Sequence, residues 1–340
     1  MSSHRIIDSH IHIWPPETSN EDEHAWMTPD MPLARPHLLS DYDKASDEVA
    51  GVIFVETDVR YESPSDELAV WAKGPLDEIA FLRDVVEGHY GDRSSQLLLG
   101  LVPWVPMHQP TSVLQEYLAL AEQRAGPETW KRVKGFRFLL QSIPDRQSFE
   151  KLVFSDYFIG NLKVLGERNL SFDVGVDQHS GGSWQLEAMA RAMELAHVGV
   201  PQEKQVVFII NHLCKPDFVR ESAAFDKWRE ATTAMSKCER TYMKLSGAFS
   251  ELPSDLASTA DVAAFMAPWF EHVLQTFGAR RIMFGSDWPV SNVSRGEASW
   301  TKWREVVGAL STDPRYVLSA QDCESIWIGT AAEAYRVRYG

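Results

Sequence analysis

Eight apolar stretches recur along this chain, each ending in polar residues and followed by a segment of helical period. They begin at residues 6, 51, 97, 133, 170, 206, 242 and 281, so successive starts lie 36 to 46 residues apart. That interval holds one strand and one crossover helix. The stretches 6–14, 51–58, 97–105, 133–141, 170–176, 206–213, 242–249 and 281–288 are mostly dense in Val, Ile, Leu and Phe, as strands covered on both faces must be. Between them, Leu76, Ile79, Leu82 and Val86 follow three- and four-residue spacing, as do Val113, Tyr117, Leu118 and Ala121. Phe149 opens another such segment, and Met189 lies within a further one. Eight alternations without a break in composition predict a single-domain (β/α)8 TIM barrel over 1–340; a doubly wound sheet rarely needs so many even units.

Two stretches break the rhythm. Residues 15–39 lack helical period and carry Trp26, Met27, prolines and acids; they read as a loop over the barrel mouth, and Trp26 favours a lid. The tail 298–340 holds two helical segments. The first, 300–310, would be the eighth barrel helix, and the second, 320–338, would pack under or beside the barrel.

Acidic residues outnumber basic ones by 48 to 33, a net charge of −15, and no basic cluster stands out. This argues against nucleic acid or an anionic membrane as partner, and a small-molecule substrate is expected instead. No apolar run approaches the ~20 residues of a bilayer span. With a first strand starting at Ile6 there is no room for a signal or transit peptide, so the expected location is cytoplasmic. Cys214, Cys238 and Cys323 are too few and too scattered for a disulfide framework or zinc knuckle and are expected to pack as buried thiols. Whether the chain forms a homo-oligomer stays open.

In a barrel of this kind the reacting groups sit at the carboxyl ends of the strands. The first strand carries Asp8, His10 and His12, which period-two alternation places on one side, with Ile7, Ile11 and Ile13 on the other. Two imidazoles aimed together make half a site for a metal ion or a polarised carbonyl. Further ends contribute Glu56 and Asp58, Trp104, Arg137 and Gln141, Asp173 and Asp177, Asn211 and His212, Lys244 and Ser246, and finally Ser286, Asp287 and Trp288. Charged groups inside apolar strands are costly unless paired or used. Each also has a plainer reading. His212 could be a satisfied core histidine, Glu56 and Arg137 an ion pair closing the barrel top, and Asp173 a brace. Lys244 lies early in its strand and could belong to the barrel interior or floor. Trp104 and Trp288 would be pocket walls. The other histidines (His4, His24, His37, His89, His108, His179, His197 and His272) read mostly as surface residues, with His179 kept open because it follows strand five.

D-x-H-x-H on strand one, N-H-L-C-K-P after strand six, K-L-S-G on strand seven and F-G-S-D-W-P on strand eight together resemble the amidohydrolase superfamily. More narrowly, they resemble its branch of sugar-acid and pyrone-dicarboxylate lactonases, and the likeness runs from Ile6 to the final helix. The resemblance implies four central residues, His10, His12, His212 and Asp287, with Asp287 as general base and the histidines holding a divalent metal or polarising the carbonyl directly. It also implies that Arg137 binds substrate. Two features depart from the pattern. Lys134 sits near the start of strand four, not at its end where binuclear members carry a bridging carboxylated lysine. Strand five reads Phe172-Asp173-Val174-Gly175-Val176, without the histidine of metal-dependent members. One divalent ion, zinc or manganese, on His10, His12 and Asp287 with Glu56 as a replacement ligand, and a metal-free version, therefore both stand.

The expected activity is opening of a lactone ring by water. Asp287 would take the water's proton and return it to the leaving hydroxyl, and His212 would orient Asp287 or contact the carbonyl. Arg137, Gln141, Glu56, Asp173, Trp104 and Trp288 would read the substrate. The alternatives are metal-dependent non-oxidative decarboxylation of an aromatic or unsaturated acid, and a non-catalytic ligand-binding barrel.

Overall fold

The computed structural model describes residues 5–46, 49–253, 255–256 and 258–340. Strands and helices alternate: β1 (Ile6–Ile11), α1 (Leu39–Ala45), β2 (Val49–Val55), α2 (Lys73–Val86), β3 (Leu98–Val102), α3 (Thr111–Trp130), β4 (Gly135–Arg137), α4 (Asp156–Glu167), β5 (Ser171–Val174), α5 (Ser183–His197), β6 (Val207–Ile210), α6 (Ala223–Ser236), β7 (Thr241–Leu245), α7 (Thr259–Phe277), β8 (Ile282–Phe284) and α8 (Ser299–Ser311). Ser155, Ser222 and Ser258 cap α4, α6 and α7, each accepting from a first-turn backbone amide that has no intrahelical partner.

Among the described residues, all pairings within β1 to β8 are parallel. Three strands form one ladder and five the other. Single bridges close the two seams: Leu101 with Val133 and Trp104 with Arg137 between β3 and β4, and Ile11 with Trp288 between β8 and β1. The strands are shorter than the apolar stretches of the sequence because their polar ends leave the ladder to form the mouth. Beyond α8 the tail carries a further helical segment. The segment after Ala320 runs through a π-turn at Ser325–Gly329 and stops at Ala334. Its Ile328, Ala331 and Tyr335, with Val337 beyond, pack onto Ile7, Ile53, Val55, Val102, Val207, Ile209 and Met283, which fill the barrel interior, and so plug its floor. No helix among the described residues is long and apolar enough to cross a membrane.

One alternation expectation is overturned. The register between β1 and β2 shifts between Asp8 and Ile11, a bulge that adds a residue and reverses the faces. Ile7 therefore joins the interior with the histidines, and Asp8 turns outward. Its Oδ1 accepts from the Ser286 amide (2.8 Å), and its Oδ2 from Tyr42 Oη (2.8 Å) on α1 and Trp300 Nε1 (3.0 Å) on α8. Asp8 is a brace between strand and helices.

The 15–39 segment lies over the mouth. It is pinned by reciprocal backbone bonds between Trp14 and His37 (2.9 and 3.1 Å) and by Trp26 Nε1 donating to the Thr57 carbonyl (2.9 Å). His24 and His37 are buried within it rather than exposed, and His272 is buried between α6 and α7; His4 lies outside the described residues. Cys214 is buried, whereas Cys238 and Cys323 are only partly so.

Candidate active site

At the carboxyl ends of the strands the barrel opens into a cavity of about 310 Å³, within the size range of small-molecule sites. The deep wall is polar, lined by His12, His212 and Asp287 with the His10 ring buried against them. The Nε2 atoms of His10, His12 and His212 lie 3.7, 3.5 and 3.7 Å from Asp287 Oδ1. The opposite wall, formed by Trp14, Trp26, Met31, Leu33, Leu139 and Val290, is apolar.

Unusual backbone places two of these groups. His212, Leu213, Cys214 and Lys215 are left-handed in succession (φ 54°, 56°, 60° and 44°), and Asp287 has φ 61°. None is glycine, so each conformation costs on the order of 1–3 kcal/mol that surrounding contacts must offset. Trp228 Nε1 donates to the Leu213 carbonyl (2.7 Å), and the Asp287 amide donates to the His10 carbonyl (2.9 Å). Gly247, the glycine of K-L-S-G, explains itself here. A β-carbon on it would stand 2.3 Å from His212 Nδ1, and its φ is +64°.

Burial drives His212 down to about 3, against the opposing pull of Asp287, so the imidazole is neutral at neutral pH. Burial alone would raise Asp287, but the facing His212 and His12, with Lys215, outweigh it and hold the carboxyl below its ordinary value. An ionised carboxylate beside neutral imidazoles is suited to accept a proton from water. Three of these groups would suit one divalent ion: the donor atoms of His10, His212 and Asp287 all fall within 4.8 Å of one another, and both imidazole nitrogens stand 3.7 Å from Asp287 Oδ1, near the roughly 3.4 Å edge of a tetrahedral site with ~2.1 Å bonds. His12 Nδ1 lies 2.9 Å from the Val55 carbonyl, which fixes its ring and leaves Nε2 bare.

The remaining candidates divide. Arg137 and Gln141 line the cavity. Glu56 does not. Its Oε1 pairs with Arg137 and its Oε2 accepts from the Asp58 amide (2.6 Å), so both oxygens are engaged and the expected role as metal ligand is corrected. Asp173 is fully buried against Lys244 (2.7 Å) and Tyr335, beneath the cavity, and serves as a brace rather than a substrate contact. Trp104 packs among Tyr61, Trp71 and Tyr117, and Trp288 against His37 and Tyr42; neither is on the cavity wall. Lys134 is not at the mouth; its Nζ bonds the Lys131 carbonyl. His179 sits at the rim with Asp217 (3.1 Å).

Two cavity residues escaped the sequence reading of substrate contacts. Asp58 has φ 56°, and burial with the Glu56 charge lifts its carboxyl to about 6. Lys215 bridges Asp177 (3.1 Å) and Glu251 (3.0 Å), tying together the loops after β5, β6 and β7. The left-handed backbone aims both inward, and neither carries the glycine that would have signalled it.

Residues 98–337 match the family model described as Amidohydrolase. The chain belongs to the amidohydrolase family. Its relatives include L-rhamnono-gamma-lactonase of Scheffersomyces stipitis, 30% identical over 91% of this chain and 93% of that one. L-fucono-1,5-lactonase of Burkholderia multivorans is 26% identical over 79% of each. Among solved structures, an amidohydrolase of Burkholderia multivorans with bound zinc superposes with a TM-score of 0.70 at 23% identity, covering 98% of this chain and 99% of that one, a likeness of fold.

Proposed function

We propose that the protein hydrolyses a sugar-acid lactone. The observation that carries this reading is the convergence of an ionised, buried Asp287 with neutral imidazoles on one wall of a small cavity, in a chain related to lactonases along most of its length. Water adds to the ring carbonyl, and Asp287 takes its proton. The acyl–oxygen bond of the ring breaks, and the proton passes from Asp287 to the leaving oxygen, giving the open hydroxy acid. General-base assistance of this kind is worth on the order of 10²–10⁴-fold. A divalent ion such as the zinc of the Burkholderia relative would be held by His10, His212 and Asp287, with His12 beside them, and when bound it would supply carbonyl polarisation and a more acidic water. Arg137, Gln141, Asp58 and Lys215 face the substrate's oxygens, and the apolar wall covers its carbon face.

Charge favours an uncharged polyhydroxy lactone over a pyrone dicarboxylate. Among the described residues lining the cavity, Arg137 is paired with Glu56, Lys215 with Asp177 and Glu251, and Asp58 adds a further acid. A substrate carboxylate would meet no unpaired cation. The test is a pH-indicator screen of the purified protein against neutral sugar-acid lactones and pyrone dicarboxylates, with and without chelator. Acid release from a neutral lactone is expected. Release of carbon dioxide from aromatic acids without lactone turnover would overturn the reading in favour of decarboxylation, and no turnover in either assay would favour a binding protein.

A further inference from the structure

Among the described residues the cavity wall carries two carboxyls, Asp287 and Asp58, and only the first has a chemical step in the reaction above. They stand on different sides of the mouth. Asp58 follows β2, which lies four strands from β6 in either direction round the barrel, so Asp58 is across the cavity from His212. Arg137 ends β4, four strands from β8 and Asp287.

The backbone on both sides of Asp58 is tied to the loop over the mouth. The Thr57 carbonyl accepts from Trp26 Nε1 (2.9 Å), and Thr57 Oγ1 lies 2.8 Å from His24 Nε2. The Arg60 amide donates to the Glu23 carbonyl (2.7 Å), and Arg60 Nε donates to that of Glu21 (2.8 Å). Asp58 itself is left-handed (φ 56°), with its amide donating to Glu56 Oε2 (2.6 Å). Backbone strain of this kind persists where the surroundings fix it and clusters at ligand clamps. The side chain that this turn presents to the cavity has no use within the protein. Among the described residues nothing donates a hydrogen bond to its carboxyl, and the neighbouring cation, Arg137, gives Nε to Glu56 Oε1 and Nη2 to the Glu56 carbonyl. A half-buried carboxylate without donors is costly, and a ligand that brings O–H groups removes the cost.

We propose that Asp58 is the specificity-determining residue of the site, its two carboxylate oxygens receiving a pair of neighbouring hydroxyls of the substrate. The proposal rests on the lactonase reading and narrows it to lactones that carry such a pair on one face. An ionised carboxylate only accepts, and its two oxygens lie side by side, so two adjacent O–H groups satisfy it together. A lactone without them, or with one inverted, leaves a desolvated charge unpaired. A site built to bond hydroxyls rejects such analogues far more strongly than an apolar pocket rejects a missing methylene.

Binding tests this without turnover. Hexono-1,5-lactams keep the ring and hydroxyls of the lactones and resist hydrolysis. Calorimetry at pH 8, where Asp58, lifted to about 6, is ionised, compares glucono-, mannono- and galactono-1,5-lactam with 2-piperidone, the same ring without hydroxyls. At least one hydroxylated lactam should bind about tenfold or more tighter than 2-piperidone, and Asp58→Asn should remove most of that advantage. Asparagine tolerates left-handed backbone, so the variant keeps the turn. No advantage in the wild type, or one that survives in Asp58→Asn, would overturn the proposal. In the acid-release assay, Asp58→Asn should lower kcat/KM on the best hexonolactone by about tenfold more than on δ-valerolactone. Equal losses on both would make Asp58 a structural or catalytic group and also overturn it. A wild type that opens no lactone defeats the lactonase reading alone, because the lactam comparison decides Asp58 by itself.

Discussion

Glu78 on α2 allows a quantitative test of how the loop over the mouth is held. Burial pushes its carboxyl from 4.5 up to about 8, with the Glu56 charge adding to the shift. The carboxyl also ties the loop to the barrel: its Oε1 accepts from the Thr57 amide (3.0 Å) and from Thr57 Oγ1 (2.7 Å), which lies 2.8 Å from His24 Nε2. His24 Nδ1 lies 2.8 Å from the Thr18 carbonyl, and burial lowers this histidine to about 4. The bonds join loop, β2 and α2, and burial of the carboxyl outweighs the two Thr57 bonds that favour its ionised form.

Between pH 4.5 and 8 the folded protein thus holds a proton that the unfolded chain has released, and stability falls as pH rises through this window. A shift of about 3.5 units at ~1.4 kcal/mol each corresponds to roughly 5 kcal/mol. In Glu78→Gln the side-chain carbonyl can still accept from the Thr57 amide, and the side chain does not titrate. The difference between variant and wild type cancels every other titration. It should be near zero at pH 5 and grow to roughly 4–5 kcal/mol in favour of the variant by pH 8. For 340 residues that corresponds to a Tm gap of about 6 °C, readable by calorimetry across the pH series. A gap that stays flat from pH 5 to 8 would refute the protonated-acid argument.

Three other substitutions probe the site. Glu56→Gln leaves the Arg137 guanidinium buried without its counter-charge and should cost about 3–5 kcal/mol in urea unfolding; a loss below 1 kcal/mol would show the pair to be dispensable. Gly247→Ala should displace the His212 ring and lower kcat by at least about tenfold, while circular dichroism reports an intact barrel. Trp26→Ala removes a cavity wall and the bond to the Thr57 carbonyl, and should raise KM several-fold more than it lowers kcat; the reverse pattern would place Trp26 outside substrate binding.

Much of this was legible in the sequence because a barrel couples its chemistry to its strand ends. Once the eight apolar stretches were placed, His10, His12, Arg137, Gln141, His212 and Asp287 could be expected at one mouth, and all but His10 line the cavity. What was not legible depends on departures from regular backbone. The bulge in β1 turned Asp8 outward, and no residue there announces it. The left-handed turn from His212 to Lys215 brought a lysine into the cavity that counting along a strand would have left at the rim. Asp173 and Lys244 were read from strand positions alone, but their partner Tyr335 arrives from the far end of the chain across the floor. Trp104 and Trp288 follow the apolar rule for pocket walls and yet pack between strands and loops, since a single sequence does not say which apolar neighbours a side chain meets.

The central claim is that Asp287 takes the proton from the attacking water. It is tested most directly by Asp287→Asn, assayed by acid release on the neutral lactone that the wild type opens best, at equal metal loading. The substitution keeps the shape and removes the base. The account predicts a kcat lower by about 10²–10⁴-fold with little change in KM. A variant that retained near-wild-type kcat would contradict it and move the base to another group on the cavity wall, Asp58 first.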